Sequence, residues 1–315
     1  MIDAIGGYPE LELRKGEHYH KNAIRLNTAR NCFEYVLRAR GYDKVYIPYY
    51  TCEVMLEPLE KCNVKYEFYH INQKLEPAET IQLQPSEAFL YTNYYGLKQQ
   101  CVERLAQIYG NQLIVDNAQA FFAAPLDGID TFYSARKFFG VADGAYLYTE
   151  KMLGIELEQD QSFERMSHLL IRADIGAEAG YADFRKNDDA LCGEPIKRMS
   201  RLTEKILCSI DYEACKVTRR RNYEEYESAL SETNAIQLHL DTHAVPLAYP
   251  FLQESTDLRK LLILNRIFVP HYWPNVTYRT DFQLEEKISN FLLPLTCDQR
   301  YEKDDIQRIL KTINI

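Results

Sequence analysis

The residues of this chain best placed to do chemistry are an acid at the end of an apolar run and an amine downstream of it. Asp116 sits in Leu113-Ile-Val-Asp116-Asn-Ala-Gln119, and Lys137 closes Ser134-Ala-Arg-Lys137, 21 residues further on. Apolar and β-branched residues ending in an acid make a buried parallel strand, and in open α/β sheets ligands bind at the carboxyl end of such strands. An acid there can keep a pyridinium nitrogen protonated, which turns the ring into an electron sink. A lysine can form a Schiff base with an aldehyde and shuttle protons, and the Ser134 hydroxyl can donate to a phosphate. Together these are the needs of pyridoxal phosphate (PLP). The plain alternative for Lys137 is an ordinary surface lysine. For Asp116 the alternative is weaker, because a lone acid ending an apolar strand is costly to bury without a partner.

Ser134-x-x-Lys137 also fits the S-x-x-K signature of penicillin-recognising serine enzymes, but the chain has neither S-D-N nor K-T-G. No P-loop, G-x-G-x-x-G or H-E-x-x-H sequence is present, so kinase, dinucleotide dehydrogenase and zinc protease readings have no support. The eight cysteines are scattered, with no C-x-x-C pair and no histidine pair at zinc-ligand spacing, which predicts free, reduced thiols and no metal site.

The elements that must position Asp116 and Lys137 follow from periodicity. Asn27 or Thr28 caps a helix in which Cys32, Phe33, Val36 and Leu37 recur at helical spacing, and Gly41 ends it. Strands are predicted at Lys44–Pro48, Val64–Tyr69, Ala88–Thr92 and Leu113–Val115, with helices over Glu53–Lys61 and Cys101–Tyr109. Strands alternating with amphipathic segments give an α/β class: a mostly parallel sheet covered by helices. From Pro195 to about Leu230 apolar residues step by threes and fours, which predicts one long helix or two in series, with the domain junction inside it. The division is 1–215 for a large domain and 216–315 for a small α+β domain. The latter has strands at Ala244–Tyr249, Ile267–Val269 and Phe291–Leu295 and helices at Thr256–Leu264 and Asp304–Thr312.

Length and composition agree: 315 residues with 46% hydrophobic content suffice for one large and one small domain. A formal charge of −9 argues against a general nucleic-acid binder. No apolar run approaches the ~20 residues of a membrane span, and the amino terminus lacks a basic start with an apolar stretch behind it, so a cytoplasmic protein is expected. The Arg219-Arg-Arg221 run reads as a solvated helix face.

Landmarks in order carry a resemblance. They are Leu26-Asn-Thr-Ala-Arg30, Val45-Tyr-Ile-Pro48-Tyr-Tyr-Thr51, Asn93-Tyr-Tyr-Gly96, Val115-Asp116-Asn-Ala-Gln119, Ser134-Ala-Arg-Lys137 with Ala142-Asp-Gly144, and Leu292-Leu-Pro-Leu295 followed by Tyr301 and Asp304–Leu310. Over most of its length the chain resembles the fold-type I PLP enzymes of the sugar aminotransferase family, the DegT/DnrJ/StrS group. The resemblance implies an aspartate aminotransferase-like large domain, Lys137 as the Schiff-base lysine, Asp116 on the ring nitrogen and Gln119 near the phenolic oxygen. It places the backbone N–H groups of Thr28, Ala29 and Arg30, at a helix start, on the phosphate beside Ser134. That geometry needs no particular side chains, and capping by Thr28 is compatible with it. Cys52 takes the cofactor-binding position where many members have an aromatic that stacks on the ring, so either Tyr50, Tyr94 or Tyr95 takes over the stacking or the ring has a thinner support. The pair Gly144-Ala145 stands where a glycine pair is common, and the middle, 171–196, is shorter than in most members.

The activity so implied is transfer of an amino group from an amino-acid donor, glutamate by expectation, to a keto acceptor on a nucleotide-linked sugar, by a homodimer in polysaccharide biosynthesis. Two alternatives keep the cofactor. One is a PLP-binding protein that has lost turnover and serves a regulatory role. The other is a lyase or a desulfurase using Cys52.

Overall fold

A computed structural model of the chain describes residues 5–280 and 282–313. The chain runs β1 (Ile24–Leu26), α1 (Ala29–Arg40), β2 (Lys44–Pro48), α2 (Leu56–Lys61), β3 (Lys65–Tyr69), β4 (Glu87–Thr92), α3 (Gln99–Tyr109), β5 (Leu113–Asn117), β6 (Asp130–Ser134) and β7 (Ala145–Tyr148). There follow α4 (Ser167–Asp174), α5 (Tyr181–Ala190), α6 (Arg201–Cys208) and α7 (Tyr212–Leu230), then β8 (Ala248–Leu252), α8 (Leu258–Leu264), α9 (Gln283–Phe291), β9 (Leu292–Thr296) and α10 (Lys303–Ile313). The predicted Glu53–Lys61 helix divides into a 3-10 turn, Glu53–Met55, and α2.

Seven strands make one sheet in the order β1-β7-β6-β5-β4-β2-β3. β2 to β6 are parallel, and β7 is antiparallel to both β6 and β1. Six strands therefore point the same way, and Leu26, Pro48, Thr92, Asn117 and Ser134 all end at one edge. Side chains alternate between two cores. Val45, Ile47, Ala88, Leu90, Ile114 and Phe132 face α1 and α2, whereas Tyr46, Phe89, Tyr91, Val115 and Tyr133 enter the larger core on the other side. The expected α/β class with a mixed, mostly parallel sheet is what the chain forms.

The long apolar pattern after Pro195 is two helices in series, α6 and α7, broken where Asp211 caps α7 by accepting from the Ala214 N–H at 3.1 Å. Helix α7 carries the chain through 215/216 to a second, two-stranded sheet of β8 and β9. Two strands in this part differ from expectation. The first lies at Ala248–Leu252, past Pro250, because Pro250 faces Pro294 across the antiparallel pair, a position where neither lacks a needed N–H. Ile267–Val269 is irregular: Arg266 turns left-handed before it (φ 56°), and Phe268 is 50% exposed. No helix among the described residues is long and apolar enough to cross a membrane.

The chain ahead of β1 lies against the tyrosine-rich face of β6 and β7. His20, 2% exposed, packs 4.1 Å from the Tyr133 ring centre. Its Nε2 donates to the Phe121 carbonyl at 2.7 Å, so Nδ1 is the acceptor for the Tyr148 hydroxyl at 3.3 Å. Burial holds this imidazole down at about 4, against the opposing pull of the Phe121 bond. The folded value lies below the unfolded one, so the contribution is complete above pH 6.5 and is lost as pH falls toward 4, by about 3 kcal/mol. Urea unfolding of His20→Gln, which retains a donor but does not titrate, should show a shallower loss of stability between pH 7 and 4.5 than the unsubstituted protein. Equal slopes would mean that His20 titrates normally.

Candidate active site

The faces of the sheet decide which predicted residues meet. Asp116 shares the α1 side with Ile114, Ser134 shares it with Phe132, and Thr92 is the register partner of Asp116 on β4. Helix α1 begins two residues after β1 and returns antiparallel on this side, so its amino end lies at the same edge. Gly144 N–H donates to the Asn27 carbonyl at 2.6 Å, and the Ala135 N–H donates to the Gly144 carbonyl at 3.0 Å. The start of α1 and the lysine segment are thus joined through the beginning of β7.

At that helix start Thr28 is the cap, with its hydroxyl accepting from the Asn31 N–H at 3.1 Å. The Thr28 N–H is already bonded to the Asn27 side chain at 3.1 Å. The N–H groups of Ala29 and Arg30 have no acceptor among the described residues, as expected of a first helical turn, and form the part of the cradle open to an anion. The side chain of Arg30 turns away to pair with Glu57 at 2.7 Å.

Asp116 is buried (6% exposed). Its Oδ1 accepts from the Ala118 N–H at 2.8 Å, which bends the chain after β5. Burial raises the carboxyl above its ordinary value, while the positive charge of Lys137 and the Ala118 bond oppose the rise. Lys137 itself is exposed, and no hydrogen bond or ion pair holds its amine among the described residues. It sits in a tight turn in which the Phe138 and Phe139 N–H groups both donate to the Ala135 carbonyl, at 3.0 and 2.9 Å.

Gln119 is wholly buried. Its Oε1 accepts from the Tyr95 N–H at 2.8 Å, which fixes the amide orientation, and its Nε2 is left without any acceptor. A buried amide N–H₂ with no protein partner is an unmet donor, open to a ligand or to an ordered water. Tyr95 is left-handed (φ 57°), an uncommon state for a bulky residue, and is held in it from both sides: its carbonyl accepts from the Leu247 N–H at 2.9 Å.

Other expectations are corrected. Tyr50, Tyr94 and Tyr95 are at most 1% exposed and are engaged with one another and with Trp273; Tyr94 donates to the Tyr50 carbonyl at 2.7 Å, and the Tyr50 and Trp273 ring centres lie 4.6 Å apart. None of the three presents a free ring face. Cys52 is half-buried at the head of the 3-10 turn beyond β2, with β4 between that strand and β5, and it makes no bond with Asp116 or Lys137 among the described residues. Ala145 needs no glycine, being a regular strand residue between Leu26 and Ser134. Gly144 does: its φ is +117°, and a Cβ there would come 2.9 Å from the Thr203 methyl. The arginine run is not a solvated face, since all three guanidinium groups donate to backbone carbonyls: Arg219 to Pro246, Leu247 and Phe138, Arg220 to Asp241, and Arg221 to Tyr301.

No protein-family model and no curated protein matches the chain. Its fold, however, is that of the PLP-dependent transferases, seen across many solved structures. A sugar aminotransferase from Micromonospora echinospora aligns with a TM-score of 0.63 at 14% identity, over 92% of this chain and 86% of that one. A DegT DnrJ EryC1 StrS aminotransferase from Brucella abortus aligns at 0.60 and 15% identity, over 93% and 85%. A GDP-4-keto-6-deoxy-D-mannose-3-dehydratase from E. coli, solved with bound hydrated PLP, aligns at 0.60 and 13% identity, over 92% and 87%. The group named by the sequence landmarks and the group found through the fold are the same, and at these identities the likeness is one of fold.

Proposed function

We propose that this protein is a PLP-dependent aminotransferase acting on a keto group of a nucleotide-linked sugar, with an amino acid as donor. The observation that carries the reading is the unmet Nε2 donor of buried Gln119, on the same sheet edge as a buried carboxylate and an unpaired lysine. The residues present fit the cofactor. Ala29 and Arg30 N–H groups with the Ser134 hydroxyl suit its phosphate, Gln119 Nε2 suits its phenolic oxygen, and Asp116 suits a positively charged ring nitrogen. Bound there, PLP supplies an electron sink for the carbanion next to the substrate nitrogen.

The chain's own groups have distinct tasks. Asp116 is raised by burial, so a cation brought against it relieves the cost of its charge and is held firmly in return. Lys137 Nζ, exposed and unpaired, is the amine for the covalent link and afterwards the group that moves a proton to and from the substrate carbon. Gly144, in a backbone conformation that favours glycine, donates its N–H to the Asn27 carbonyl from the start of β7, which ties the lysine turn to the phosphate cradle. A second reading is elimination from the sugar in place of transfer, favoured by the likeness to a dehydratase fold.

The protein mixed with PLP should gain a visible absorbance band, and borohydride should fix a pyridoxyl group on the peptide containing Lys137. Glutamate and keto-sugar nucleotides should then yield an amino sugar. Trapping at any other lysine sinks the site assignment, and loss of water from the sugar without amine uptake selects the dehydratase reading.

A further inference from the structure

Arg219 on α7 is 1% exposed, and no carboxylate lies within ion-pair distance of it among the described residues. A buried guanidinium of this kind costs several kcal/mol unless its donors are all engaged. Here four of its five N–H groups are engaged, one of them at the turn that carries Lys137. Its Nε donates to Gln299 Oε1 at 2.7 Å, Nη1 to the Pro246 and Leu247 carbonyls at 3.2 Å each, and Nη2 to the Phe138 carbonyl at 3.4 Å. The cation lies 4.6 Å from the centre of the Phe138 ring. Because Arg219 takes the amide oxygen of Gln299, the Gln299 N–H₂ is turned to the same Phe138 carbonyl, at 2.9 Å.

Two turns are thereby tied to one side chain. Phe138 is the residue after Lys137. Leu247, whose carbonyl takes Nη1, donates its N–H to Tyr95, and the Tyr95 N–H bonds Gln119. A continuous chain of hydrogen bonds runs from the lysine turn through Arg219 and Leu247 to the Gln119 turn. A planar fork can reach both carbonyl groups at once, whereas an ammonium on a flexible stem cannot.

We propose that Arg219 is a positioning residue that sets the separation of the Lys137 turn from the Tyr95–Gln119 turn, with Gln299 as its partner on the lysine side. The assignment of Lys137 and Gln119 to a cofactor rests on the reading given above; the clamp itself rests on the bonds.

The test is Arg219→Lys in the full chain, followed by hydrogen exchange and by a pH titration of the visible absorbance after PLP is added. The variant should fold, and amides of residues 135–141 and of residues 94–97 should both exchange at least about tenfold faster while those of β2 and β4 are unchanged. The pH midpoint of the absorbance should move by about half a unit or more, with turnover falling in kcat more than in KM. Unchanged exchange in both turns, loosening of the lysine turn alone, or an unmoved pH midpoint overturns the proposal. If Arg219→Lys fails to fold, Gln299→Leu stands in: it should loosen residues 135–141, and no change there overturns the proposal. If the unsubstituted protein takes up no PLP, the functional reading has failed while the exchange measurements still decide the clamp.

Discussion

Lys137→Ala should leave a folded protein that no longer yields a borohydride-fixed pyridoxyl group and turns over roughly 10³-fold more slowly, or not at all. The two halves of this expectation have separate causes. Stability is spared because the Lys137 side chain is exposed and unpaired, and surface substitutions of that kind stay within about 0.5 kcal/mol. Its positive charge acts on Asp116, whose carboxyl should rise further once the opposing cation is gone. Activity is lost because Lys137 is the cation that acts on Asp116 among the described residues, and its neighbours Phe138 and Phe139 are buried apolar side chains that cannot replace it. Peptide mapping after reduction, with unfolding curves for both proteins, checks the two halves together. Turnover near the unsubstituted rate in Lys137→Ala would remove the lysine from the mechanism.

How much of this was readable beforehand depends on whether a residue's role is local. Asp116 could be placed because three apolar neighbours and one acid specify a strand end by themselves, and β5 is buried along its whole length. The cap at Thr28 and the stop at Gly41, left-handed at φ 68°, are likewise properties of a few adjacent residues. Roles that arise across the fold were not readable. Asp130–Ser134 and Ala145–Tyr148 are not legible as strands, since the first has a polar residue at each end and the second is only four residues long with no polar position; they pair because β5 and β1 offer edges on either side. The arginine run misled for the same reason. Three consecutive helical residues spread around the wheel, and Arg219 is the one turned inward, covered by Phe138, Leu247 and Gln299, residues 81, 28 and 80 positions away in sequence. Tyr50, Tyr94 and Tyr95 read as ligand-facing rings and are core, because the later part of the chain brings Trp273 onto Tyr50 and Tyr94 and Tyr272 onto Tyr95.

The largest stability effect should come from a pair far from the cofactor edge. Asp130 opens β6 and is wholly buried, and Arg40 in the last turn of α1 meets it with two bonds, Nε at 2.7 Å and Nη2 at 2.9 Å. The geometry is the bidentate fork that makes an arginine–carboxylate pair strong, and the cation also complements the carbonyl end of its helix. Such a pair is worth little relative to apolar residues of the same volume, yet breaking it leaves one charge stranded in the core. Asp130→Ala should therefore cost about 3–5 kcal/mol in urea unfolding, because the Arg40 side chain, only 8% exposed, has no water to retreat to. The double variant Arg40→Met with Asp130→Leu should recover most of that loss, since it removes the stranded charge together with its partner. The loss should also reach the site: β6 carries Ser134 at its other end, and α1 carries the Thr28 turn at its own. Looser packing between them should weaken PLP uptake in Asp130→Ala and restore it in the double variant. A single variant within about 1 kcal/mol of the unsubstituted protein would show that the pair is not buried as described.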